Sequence, residues 1–238
     1  MASRKYRNVS GLLLFFLLGF IAFPDPSPGA PTNGTRFPPK GAIEAGYEYH
    51  NLLKRDLAGE FGRIKTQNHF YFFSYGLTDR LSIDLKAGLG NADHEESRDL
   101  PDLDYAAGFA GGYGFRVRAF RISQGDIDLI VGGQHISVHP RDIDLGGKHY
   151  ESFLDDWQLS FVTAKSFSSA TIYAGGKFSD LESVYKVDKK NKKRRFSRDH
   201  IGLVAGVDAY FHEGTVRLNL EGRFIDETGF SAAVGYLF

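Results

Sequence analysis

Phe230-Ser231-Ala232-Ala233-Val234-Gly235-Tyr236-Leu237-Phe238 is the stretch whose reading decides the fold. Side chains of a β-strand alternate between two faces. Phe230, Ala232, Val234, Tyr236 and Phe238 therefore share one face, which is apolar and aromatic. A soluble domain rarely ends on such a strand.

The same alternation recurs upstream. In 81–89, Leu81, Ile83, Leu85, Ala87 and Leu89 alternate with Ser82, Asp84, Lys86 and Gly88. In 216–224, Val216, Leu218, Leu220, Gly222 and Phe224 alternate with Arg217, Asn219, Glu221 and Arg223, and 201–211 behaves alike. Noisier versions occupy 41–50, 62–76, 103–117, 125–138, 152–166 and 170–186. With 229–238 this predicts ten strands, several longer than the five or six residues usual in soluble sheets. A strand tilted by about 45° needs roughly 9–11 residues to cross a bilayer core. Eight and twelve strands are the alternatives, because 62–76 and 170–186 alternate poorly. Short connections near Thr78, Ile122, Ser168 and Glu213 alternate with longer polar segments at 51–61, 91–102, 139–151 and 187–198.

This pattern resembles the transmembrane β-barrels of the bacterial outer membrane, including the small closed and porin-like ones. Those barrels alternate short periplasmic turns with long outer loops. The fold class expected is all-β, a single-chain antiparallel transmembrane barrel located in the outer membrane. The resemblance implies that Phe230, Val234, Tyr236 and Phe238 form a C-terminal assembly signal. Its readers would be the barrel-insertion machinery, served by periplasmic chaperones. The implied surroundings are outer-membrane lipid and lipopolysaccharide, and the chain is expected to be a monomer.

The front of the chain agrees. Arg4, Lys5 and Arg7 precede an apolar run from Gly11 to Phe23, too short to span a bilayer and suited to a signal peptide over 1–29. Six of the eight prolines fall in 24–40, so 30–40 reads as a linker and 41–238 as the barrel. There is no cysteine, hence no disulfide, metal thiolate or thiol chemistry. Lys and Arg number 29 and Asp and Glu 29, which leaves no general signal for nucleic acid. Gly at 28 and aromatics at 14% are high, as barrel strands are. Spacing of about 45 residues also suits propeller blades, but no Trp-Asp or Gly-His repeat is present.

The energetics of side-chain placement assign the faces. A Lys or Arg facing mid-bilayer costs about 2–4 kcal/mol. Leu81, Ile83, Leu85, Val216, Leu218 and Leu220 should face lipid. Glu44, Glu48, Arg63, Lys65, Asp84, Lys86, Asp126, Asp128, Lys177, Asp208, Arg217, Glu221 and Arg223 should line the lumen. Opposed charges in so narrow a barrel fit a salt-bridge network better than an open channel.

Two loops are charged. Lys189, Lys190, Lys192, Lys193, Arg194 and Arg195 form a run that repels itself and is expected to be a mobile surface loop, with lipopolysaccharide phosphates as its natural partner. Asp93, Glu95, Glu96, Asp99, Asp102 and Asp104 lie in another, at a spacing that matches no calcium loop. No cofactor or metal is expected.

Two enzyme resemblances are partial. Asp155, Asp156, Asp199 and His200 fall near the outer rim, where outer-membrane aspartyl-type proteases hold acids and an Asp-His pair. His135-Ile136-Ser137 is similar to the His-x-Ser of lipid A deacylases, in which histidine activates serine, but only Glu151 offers itself as an acidic partner. A histidine at the interface end of a strand is the simpler reading. The expectation is a non-enzymatic barrel of the envelope that works through its loops. A narrow porin-like channel, or a lipid-modifying or proteolytic enzyme, are the alternatives.

Overall fold

The computed structural model describes residues 34–238; the signal peptide expected over 1–29 and residues 30–33 of the expected linker lie outside them. Twelve strands form in chain order: β1 Ile43–Asp56, β2 Arg63–Thr78, β3 Leu81–Glu95, β4 Leu103–Ile122, β5 Ile127–His139, β6 Ile143–Leu145, β7 Lys148–Ser166, β8 Ala170–Val187, β9 Lys190–Phe196, β10 Ile201–Phe211, β11 Val216–Phe224 and β12 Thr228–Leu237. Ten of them close an antiparallel barrel; β6 and β9 are additional. β1 pairs with β12 from Glu44↔Leu237 to Lys54↔Thr228. The amide of Phe238 donates to Ile43 O at 2.8 Å, which extends the seam to the last residue. Closure leaves no open edge, the condition that a lipid solvent imposes.

Every residue expected to face lipid on β3 and β11 turns outward. Leu85 is 58% exposed to its surroundings, and Ile83, Leu218 and Leu220 are similarly open, while Ser82, Asp84, Lys86, Arg217, Asn219, Glu221 and Arg223 are buried between them. That is the reverse of a soluble protein. Removing one large apolar side chain from water stabilises by about 1.5–3 kcal/mol. An outer belt of such residues is therefore stable only against hydrocarbon. Phe230, Val234, Tyr236 and Phe238 belong to this belt.

β2 explains its own poor alternation. Phe70 and Phe72 point inward and are fully buried, while Tyr71, at 67% exposure, and Phe73 point outward. Both faces are aromatic, so hydropathy does not distinguish them.

The strands differ in height. β10, β11 and β12 stop early at the outer end, whereas β1 to β5, β7 and β8 continue above them. β9 fills the gap. It pairs with the upper part of β8, from Glu182↔Phe196 to Val187↔Lys190. It is stitched to the top of β1 through the bridge Leu57↔Ser197 and a bond from Arg198 N to Asp56 O at 2.9 Å. The raised collar encloses an apolar core that includes Leu52, Leu57, Ile64, Leu103, Tyr105, Leu154 and Leu181. The run 189–195, expected as a mobile loop, is thus mostly a strand.

Candidate functional site

The lower and middle lumen holds the charged network. Arg116 grips Asp84 with two bonds, Nε to Oδ2 at 2.9 Å and Nη2 to Oδ1 at 2.7 Å. Arg217 bridges Glu44 at 2.7 Å and Asp208 at 3.0 Å. Lys86 Nζ donates to both Glu48 oxygens, at 3.0 and 2.9 Å. Higher up, Arg223 donates to Glu227 at 2.6 Å, and Tyr173 OH donates to Glu221 at 2.9 Å. Lys177 lies 2.9 Å from Asp226 and 2.8 Å from Glu227. Arg55 meets Glu227 at 3.0 Å and Asp226 at 3.3 Å. Fixed opposite charges at these separations offset one another's desolvation.

Segment 34–37 closes the periplasmic end. The amide and hydroxyl of Thr35 both donate to Asp208 Oδ2 at 2.7 Å, and Arg116 donates to Arg36 O at 2.5 Å. Phe37 lies under the Arg118 guanidinium, 4.7 Å from ring to charge. Gly34 has φ +67°, and a Cβ there would come 2.3 Å from the Asp208 carboxylate, so only glycine fits this turn. A cavity of about 170 Å³ remains beside the segment, lined by Arg36, Arg118, Arg121, Asp128 and Tyr210 among others.

Ten of the thirteen residues expected in the lumen are buried there. Arg63 and Lys65 are not. They flank the inward-pointing Ile64 on β2, so period two sends both outward, where they pair with Glu95 at 2.9 and 2.5 Å. Asp126 is also outside, in the left-handed turn before β5 at φ +48° and 3.7 Å from Arg121. Sequence reading missed Arg55, Arg116, Asp226 and Glu227. Arg55 sits in a stretch expected to be loop, and the two acids turn inward from 225–227, the shortest outer connection between two of the ten barrel strands. That brevity was the available signal: a turn so tight lies over the lumen.

At the rim the acidic and basic loops meet. Asp99 accepts from Tyr185 OH at 2.7 Å, Lys193 at 3.1 Å and Arg195 at 2.7 Å. Burial works against the Asp99 carboxylate, but these bonds hold it below the usual carboxylate range. Arg195 also stacks 3.3 Å above the Phe61 ring, and Arg194 pairs with Glu182 at 3.1 Å. Lys189, Lys190 and Lys192 remain exposed, with no ion pair among the described residues. On the β6–β7 hairpin, His149 Nδ1 donates to Asp144 Oδ1 at 2.8 Å and the ring faces Asp142 and Glu151; the bond to Asp144 raises its basicity.

The other singled-out residues divide. Asp156 points inward, 3.8 Å from Arg55, whereas its neighbour Asp155 points outward. Asp199 pairs with Arg198 at 3.0 Å, and His200 lies 3.5 Å from Asp180. These four therefore do not converge. His135 and Ser137 do gain an acidic neighbour, Asp155 rather than Glu151: Ser137 Oγ donates to Asp155 Oδ1 at 2.6 Å, and His135 Nε2 is 3.3 Å from the same oxygen.

No protein-family model matches the chain, and no curated protein matches it in sequence. Among solved structures it is similar to the outer membrane protease OmpT from Escherichia coli, at 10% identity over 87% of this chain and 100% of that one, TM-score 0.44. It is similar to the translocator domain of the autotransporter NalP from Neisseria meningitidis, at 11% identity over 97% and 95%, TM-score 0.46. The COG4313 outer membrane channel from Pseudomonas putida F1 gives 11% identity over 91% and 98%, TM-score 0.40. The assignment rests on the chain's own closed sheet, apolar outer belt and polar interior, which make it an integral β-barrel of the bacterial outer membrane.

Proposed function

We propose that this barrel conducts no solute and acts at its outer end, as an envelope component whose rim binds anionic groups of the outer-membrane surface. The observation that supports this is the filled interior. Arg116 and Arg217 below, Phe70 and Arg223 in the middle and Ile64, Leu103 and Leu154 above are each buried to within 2%. A water-filled pore would wet the side chains that line it. Action is then left to the surface. There the β8–β9 hairpin presents Lys189, Lys190 and Lys192, beside a leaflet whose headgroups carry phosphate. Lipopolysaccharide is the partner with that chemistry.

A basic residue near an anionic membrane surface contributes about 1 kcal/mol. Replacing these three lysines by Ser should therefore weaken lipopolysaccharide binding by about 100-fold. Calorimetry on the detergent-refolded protein reads this directly, and unchanged affinity would end the rim reading. Planar-bilayer recordings should show no steady current; stable conductance steps would replace this reading by that of a narrow channel.

A further inference from the structure

The outer belt is interrupted on β5 and β7. Ile136 and Val138 point into the barrel, so His135, Ser137 and His139 point out. Asp155 lies opposite Ser137, and Trp157 opposite His135. Ser137 Oγ is 2.6 Å from Asp155 Oδ1 and 2.9 Å from His139 Nε2, and His135 Nε2 is 3.3 Å from Asp155 Oδ1. A hydroxyl, two imidazoles and a carboxylate thus touch one another on the face that elsewhere carries Leu85, Leu89, Leu218 and Leu220. Barrel stability does not ask for them, since a charge on the lipid face is unfavourable and a leucine is not.

Their level is informative. Trp157 stacks on His135 with ring centres 4.3 Å apart, and Tyr113 lies 5.3 Å from the same ring. Such amphipathic rings sit at headgroup level. Ser137 and Asp155 are one outward-facing step further from the membrane centre. Acyl chains are joined to lipid headgroups at this boundary. Phe153 stacks on His139 at 5.7 Å and gives the cluster an apolar flank.

We propose that Ser137 is the nucleophile, and His139 the general base, of a site that hydrolyses an O-acyl ester of an outer-leaflet lipid. The serine hydroxyl has one hydrogen, which Asp155 receives in the resting site. Rotation about Cβ–Oγ directs it to His139 Nε2. Oγ bonds to the ester carbonyl carbon while its proton passes to His139. The carbon–oxygen bond to the lipid alcohol then breaks, and that oxygen takes the proton from His139. A water molecule, deprotonated by His139, attacks the acyl-serine. Serine regains a proton and a free fatty acid leaves. Ester and water are consumed, alcohol and acid are formed. Asp155 and His135 are positioning residues that orient the hydroxyl and hold the local charge. The site lies on the wall and does not depend on the basic hairpin.

The test uses the full chain refolded in detergent, with the folded state verified by heat-dependent gel mobility. Phosphatidylglycerol vesicles and purified lipopolysaccharide are supplied separately, and released fatty acid is measured by mass spectrometry. Release from either is expected, and which substrate yields it identifies a glycerophospholipid or a glycolipid source. Ser137→Ala should abolish release, and His139→Phe should lower it at least 100-fold. A long-chain fluorophosphonate should add to Ser137 and not to the alanine variant. Asp155→Asn should lower kcat with KM and gel mobility unchanged, because the serine hydroxyl loses the carboxylate that orients it. No release from either lipid, or equal release by wild type and Ser137→Ala, overturns the proposal whatever the labelling result.

Discussion

Arg217→Met gives a sharp test of the packed lumen. Arg217 is fully buried, its Nε is 2.7 Å from Glu44, and its Nη1 is 3.0 Å from Asp208. Both carboxylates are themselves fully buried. Methionine keeps most of the volume and removes the charge, leaving two anions without their shared cation. Asp208 retains two bonds from Thr35 and one from Asn219, and among the described residues Glu44 retains only the distant Arg36 at 4.0 Å. Removing one partner of a buried ion pair costs about 3–5 kcal/mol. At about 1.4 kcal/mol per decade, the folded-to-unfolded ratio should fall by about 100-fold or more. The triple change Arg217→Met, Glu44→Gln, Asp208→Asn removes the stranded charges and should return to within about 2 kcal/mol of wild type. Guanidinium titration in vesicles reads both, with the single tryptophan, Trp157, as probe because it sits on the lipid-facing surface. A loss below about 1 kcal/mol for Arg217→Met is the magnitude of a water-exposed pair. That result would mean that water reaches the network, and the closed-lumen argument would fail.

Three further outcomes follow from other parts of the molecule. Leu220→Arg should destabilise the barrel by about 2–4 kcal/mol in the same titration, because the side chain faces hydrocarbon; no loss would place β11 in the wrong rotation. Asp99→Ala should loosen β9 by about 1–2 kcal/mol through loss of Tyr185, Lys193 and Arg195 bonds, seen as roughly 5–30-fold faster tryptic cleavage in 189–195. Protonated His149 is favoured by its bond to Asp144 and by Asp142 and Glu151, so its folded value lies above the ordinary 6.5. Its stabilisation of the β6–β7 hairpin is complete below pH 6.5 and is lost as pH rises through that raised value. Hydrogen exchange at 143–150 should accelerate across this interval in wild type and not in His149→Gln.

The legibility of the sequence varied with the distance over which each feature is set. The strands over 201–211 and 216–224 were readable residue by residue, because one face is apolar and the other polar or small. β2 was not, because Phe70 and Phe72 face the lumen while Tyr71 and Phe73 face lipid. Arg63 and Lys65 misled for the same reason: charge alone suggested the lumen, but the phase set by Ile64 points them outside. Asp155 was visible as an acid near the rim. Its contact with Ser137 was not, since the two are joined by the β5–β7 register rather than by spacing along the chain.

What the sequence determined by itself was the barrel, its approximate strand number and most of its inward and outward faces. Period-two alternation is a local property, and lipid outside rewards it at every strand. What only the tertiary structure decided is which distant charges meet. The acidic segment 91–104 and the basic run 189–195 read as two independent surface loops, yet Asp99 joins them and β9 completes the collar above the short strands. Opposite charges attract whatever their separation in sequence, and the fold alone sets that separation in space.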